Sequence, residues 1–186
     1  MGVMVVGRLF HRNAFEAQAR SLYQIIVEQA RRPEFYRHCG VPDTLDGRFE
    51  LIALHAFLIL HRLKADRPES ADLAQALFDT LFQDMDQSLR ELGAGDLGVG
   101  RRVKLMAQGL YGRIEAYEAG LRAPGAELEA ALGRNLYGTV QPEPGPLRAM
   151  AGYLRREAGT LAGLDLAGLM AGNLTFGAPP EADGQA

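Results

Sequence analysis

The sequence predicts an all-α fold: a single-domain helical bundle around a central apolar helix. Apolar residues recur at three- and four-residue intervals along most of the chain, the period of one helical face. No alternating apolar–polar stretch of useful length points to a strand. One segment, residues 46–64, carries Phe49, Leu51, Leu54, Phe57, Leu58 and Leu63 around its whole circumference, so other helices must cover it on most sides. At 186 residues the chain suits one domain with a core of its own.

Residues 1–12 read as a loose N-terminal arm. Asn13 followed by Glu16 has capping-box spacing, and Phe15, Ala19, Leu22, Tyr23 and Ile26 trace the buried face of a first helix that Pro33 stops. Residues 33–47 are rich in turn formers and are expected to cross the surface with Phe35 and Tyr36 tucked inward. The central helix follows, then a polar break, and Ser70 is placed to cap a third helix over residues 71–92. That helix is amphipathic. Leu77, Leu81, Met85 and Leu89 lie on its apolar face, whereas Asp79, Gln83, Asp86 and Arg90 keep the same spacing as a polar stripe. Gly93 sits where a helix end prefers glycine, and Asp96 is placed to cap a fourth helix over residues 97–121.

The fourth helix has two unlike faces: Val99, Val103, Met106, Leu110, Ile114 and Tyr117 form an apolar stripe, while Leu105, Gly109, Gly112 and Ala116 form a narrow groove. A mid-helix glycine costs about 1 kcal/mol relative to alanine, so the groove calls for a packing reason. A neighbouring helix of the same chain is the ordinary one; a partner helix docking on Leu105, Gly109 and Gly112 is the other. Beyond residue 121 the pattern predicts short helices over residues 126–136, 146–157 and 161–170. The domain is expected to span residues 13–176, with a disordered tail from 177 to 186.

Composition narrows the function classes. A net charge of -3 gives no reason to expect DNA or other nucleic-acid binding, and the single cysteine, Cys39, cannot form an internal disulfide. The N-terminus does not read as a signal peptide, and Val6 stands where a myristoylation signal needs Ser or Thr. The most apolar stretch falls well short of the roughly 20 residues that span a bilayer. Asp79, Asp84 and Asp86 invite a metal reading, but Asp84 lies around the helix from the other two and no histidine stands at ligand spacing. His55 and His61 cannot converge on one ion, and Cys39 beside His38 lacks the geometry of a nucleophile with its base. No catalytic, cofactor or metal site is therefore expected. Charge is more telling: residues 68–100 carry seven acids against Arg90, and then Arg101, Arg102, Lys104 and Arg113 follow without an acid between them. This pattern reads either as mutual neutralisation across a helical hairpin or as a bipolar protein-docking surface made by Asp79, Gln83, Asp86, Arg90, Asp96, Arg101 and Lys104.

Three stretches carry a resemblance: GVPDTLDGRFELIALHAFLILHRLK, LFDTLFQDMDQSLRELGAGDLGVGRRVK and YGRIEAY. They resemble the ubiquinol–cytochrome c chaperone family, over about residues 14–121, with Ala94 where the family's GVGD turn has valine. The resemblance implies a non-catalytic assembly factor for the cytochrome bc1 complex, with no cofactor, whose client is cytochrome b or another bc1 subunit. With no presequence read at the N-terminus, a bacterial member is expected, acting in the cytoplasm at the inner-membrane surface. In mitochondria the relatives act with newly made cytochrome b at the ribosome, together with a small partner protein. Two other classes stay open: a peripheral module that binds lipid through Arg8, Arg12 and the apolar arm between them, and an enzyme with an unrecognised site.

Overall fold

The structure, a computed structural model, describes residues 15–91 and 96–181. Among the described residues the secondary structure is helical throughout: α1 (Glu16–Ala30), α2 (Pro33–Arg37), α3 (Leu45–Ala65), α4 (Ala71–Glu91), α5 (Asp96–Arg122), α6 (Glu127–Asn135), α7 (Pro144–Ala162) and α8 (Leu166–Met170). The expected arm, Asn13 and the Gly93 turn lie outside the described residues.

Helix α3 touches α1, α4, α5 and α7, and Leu51, Leu54, Phe57, Leu58, Ile59 and Leu63 are buried along it. Its start is built by two local features. The Thr44 hydroxyl accepts from the Gly47 amide at 3.2 Å, and residue 47 must be glycine because an added Cβ would lie 2.0 Å from the Pro42 carbonyl oxygen. Its far end is tied to α7: the Arg62 guanidinium donates to the carbonyls of Leu161 (2.9 Å) and Leu164 (2.7 Å), which satisfies carbonyls left over at the end of a helix.

Several expectations need correction. Helix α1 starts with Phe15 in the cap position and no side-chain cap. The Ser70 hydroxyl donates to the Leu63 carbonyl, joining α4 back to α3. The two short helices expected at the C-terminal end have different lengths: α7 runs on to Ala162 and α8 is a single short turn. Apolar contacts along Met150, Leu154 and Leu161 carry α7 through the glycines that weaken its pattern.

Within the segment from 177 expected to be disordered, Gly177 and Ala178 have hydrogen-bond partners on α1 and α7. The Gly177 amide donates to Glu157 at 2.8 Å, its carbonyl accepts from Gln29 at 2.8 Å, and Arg156 donates to the Ala178 carbonyl at 2.5 Å. Phe176 packs against the His55 ring, with centroids 5.0 Å apart. These partners come from helices distant in the chain.

Candidate docking surface

Helical spacing places Asp79, Gln83, Asp86 and Arg90 together, as expected, on the rim of a shallow concavity of about 600 Å³ between α4 and α5. The Asp79 carboxylate accepts from Gln75 at 2.9 Å, and Arg90 donates to Asp86 at 2.6 Å, both one helical turn apart. Phe78 and Phe82 lie beneath, ring centroids 4.7 Å apart, and Phe78 meets the exposed Tyr111 of α5 at 5.4 Å. The result is an aromatic floor under an acidic rim. Val103 reaches it from α5, but Arg101 and Lys104 are exposed without lining it. Asp96 is the first residue of α5, and its side chain lies outside the description. The structure thus assembles the α4 half of the expected surface and leaves the basic half apart from it.

On the other side of α4 a more enclosed concavity of about 550 Å³ opens between the start of α3, the end of α4, α5 and the end of α6. Leu105 lines it and is 56% exposed. Gly109 and Gly112 do not line it. The Arg113 guanidinium lies over Gly109, and nothing stands within 4 Å of a Cβ added at Gly112. The helix expected to cover this glycine face does so only further along, at Gly120, where an added Cβ would meet the Leu128 Cα of α6 at 2.7 Å.

One wall of the concavity is an ion pair that the linear pattern did not announce. Arg113 of α5 grips the buried Glu50 of α3 in a bidentate pair through one guanidinium edge, Nε and Nη2, with Nε to Oε2 at 2.6 Å. The same guanidinium stacks over Phe49, 5.7 Å from the ring centre, and the hydrogen bond to Glu50 raises the Arg113 pKa. The available signal was a glutamate inside the most apolar helix, which requires a partner.

Cys39, His55, His61 and Asp84 are each engaged within the fold. Cys39 is buried, and that burial raises its thiol to about 11, so it holds little thiolate at neutral pH. His55 is fully buried: its Nδ1 donates to the Leu51 carbonyl at 2.7 Å, and its Nε2 accepts from the Tyr153 hydroxyl at 2.9 Å. Burial lowers its pKa to about 4. The Tyr153 oxygen in turn accepts from Gln29 at 2.9 Å. His61 lies instead against Glu118, whose carboxyl stays below its ordinary range because hydrogen bonds from Lys64 and His61 outweigh its burial. Asp84 accepts from Tyr23 at 2.7 Å and so ties α1 to α4.

The described residues form an all-α domain whose open features are grooves of mixed apolar and charged character. Residues 37–176 match the sequence model described as ubiquinol-cytochrome C chaperone, and the chain belongs to that family. Its fold is that of the crystal structure of the Cbp3 homolog from Brucella abortus: TM-score 0.80 and 39% identity, over 96% of this chain and 99% of that one. The ubiquinol-cytochrome-c reductase complex assembly factor 1 of Xenopus laevis is 27% identical over 170 residues, 90% of this chain and 84% of the relative. Its Mus musculus counterpart is 25% identical over 139 residues, 75% of this chain and 47% of the relative, so the chain spans about half the length of the mouse protein.

Proposed function

We propose that this protein is an assembly factor for the ubiquinol–cytochrome c reductase (bc1) complex, acting without catalysis by holding newly made cytochrome b until it joins its partners. The observation that carries the reading is the family match across residues 37–176, supported by similarity to relatives named as assembly factors of that complex. The acidic rim of α4, Asp79 and Asp86 over Phe78 and Phe82, serves as a contact for loops of the client. Exposed charged contacts of this kind are individually weak, which suits a holdase that must release its client. No helix among the described residues is long and apolar enough to cross a membrane. On this reading the client is met at the membrane's surface.

Deletion of the gene in its own organism tests the reading. Cytochrome b protein and ubiquinol–cytochrome c reductase activity are expected to fall together, with the transcript unchanged and both restored by the intact gene. Normal assembled complex under respiratory growth, with a redundant factor excluded, would overturn it.

A further inference from the structure

The 550 Å³ concavity does not end at α3. A second, of about 700 Å³, shares Leu45, Phe49, Met85 and Ser88 with it, so the two form one elongated trough crossing the start of α3 and the end of α4. Leu45 and Leu105 stand on this trough 62% and 56% exposed, two of the four exposed large hydrophobic residues among the described residues. Single exposed leucines are ordinary; two on one apolar depression make a patch.

Charge is distributed along the trough in a definite order. Arg48 is held by Asp43 at 2.7 Å and Arg113 by Glu50, so these pairs neutralise themselves. Arg31 and Arg37 line one end and Arg102 and Arg134 the other, all four exposed and none in an ion pair among the described residues. Only Asp46 and Asp84 oppose them, and Asp84 already accepts the Tyr23 hydroxyl. A chain of net charge -3 therefore concentrates uncompensated arginines at both ends of an apolar trough.

We propose that this trough docks an apolar helical segment of another protein that carries acidic residues toward both of its ends. A helix is a convex cylinder roughly 10–12 Å across, and its apolar face fills a concave floor as a flat bilayer does not. Arginine forks at each end match carboxylates on the segment and set its position along the trough. The inference goes beyond the assembly reading, because it fixes the chemistry of the occupant and not the protein to which the occupant belongs.

The test is photocrosslinking in living cells, using the full chain with benzoylphenylalanine in place of Leu45 or of Leu105. Both positions are expected to capture the same segment, apolar and helical, with Asp or Glu near each end. Combining Arg102→Glu with Arg134→Glu should lower the yield several-fold at both positions, while thermal unfolding and crosslinking from position 83 stay unchanged. Adducts to phospholipid, to a second copy of this chain or to a segment with basic ends would overturn the proposal. So would adducts at neither position, or yields indifferent to the arginines. If the captured segment has the stated chemistry but belongs to a protein unrelated to bc1, the docking proposal stands and the assembly reading fails. Loss of bc1 on deletion with an empty trough gives the reverse.

Discussion

Glu50 and Arg113 show how much a single pair can matter when it is withdrawn from water. Both side chains are largely buried, at 10% and 20% exposure, and each is the other's main compensation. Arg113→Met strands a buried carboxylate and is expected to cost about 3–5 kcal/mol in urea unfolding, toward the lower end because Arg113 keeps one edge in solvent. Adding Glu50→Met should recover most of that loss, since the desolvation cost disappears with the second charge. His55 makes a prediction of a different kind. Its folded pKa of about 4 lies below the ordinary value near 6.5, so the unfolded chain binds more protons between those limits. Its contribution is therefore present in full above about pH 6.5 and declines as the pH falls toward 4. Protonation would also place a second donor against the Tyr153 hydroxyl, which already donates to Nε2. Unfolding free energies measured from pH 7 to pH 4 should fall more steeply in the parent than in His55→Leu.

Among the elements, α3 is the one whose packing the others share. Leu58 is 1% exposed within it, and Leu58→Ala is expected to cost about 2–5 kcal/mol by leaving a cavity in a helix that four others pack against. Denaturant titration at constant slope measures this. The opposite expectation holds on the outer face of α4. Asp79→Lys with Asp86→Lys removes exposed one-turn pairs, each worth well under about 1 kcal/mol, so thermal stability should barely move while co-purification of the client drops. Unfolding of that variant would make the stripe structural. The same helix thus carries a stabilising face and a partner-facing one, separated only by its 3.6-residue period.

The C-terminal segment closes the molecule as a whole. Residues after α8 reach back to α1, α3 and α7: Gly172 accepts from Ser21 at 3.1 Å, Phe176 meets His55, and Gly177 joins Gln29 to Glu157. Truncation before Asn173 removes the backbone donor to Glu157, which is 1% exposed, and the acceptor for Gln29. Gln29 keeps its bond to Tyr153 and Glu157 its pair with Arg156, so each lost bond is expected to cost toward the lower end of about 1–3 kcal/mol. Lower denaturation midpoints and increased binding of a hydrophobic dye would show it; unchanged values would make the segment dispensable.

Helices α1, α3, α4, α5 and α6, the apolar faces of α1, α4 and α5, and the grouping of Asp79, Gln83, Asp86 and Arg90 were determined by sequence alone, whereas α2 falls in a segment whose residues read as turn formers. Each follows from a period that repeats within one element, and local geometry turns that period directly into a face. The family, too, was carried by contiguous motifs. What only the tertiary structure decided depends on residues far apart in the chain. Glu50 finds Arg113 63 positions away, and His55 finds Tyr153 98 positions away. The trough needs Leu45, Met85, Leu105 and Arg134 from four different helices. Composition likewise gave no sign of the partners of Gly177 and Ala178, because small and proline-rich segments make few local bonds of their own. The arginines at 101 and 102 form one run in sequence, yet the turn of α5 sends Arg102 to the trough and leaves Arg101 outside it. Such assignments depend on how the helices are packed against one another, which no spacing along a single helix encodes.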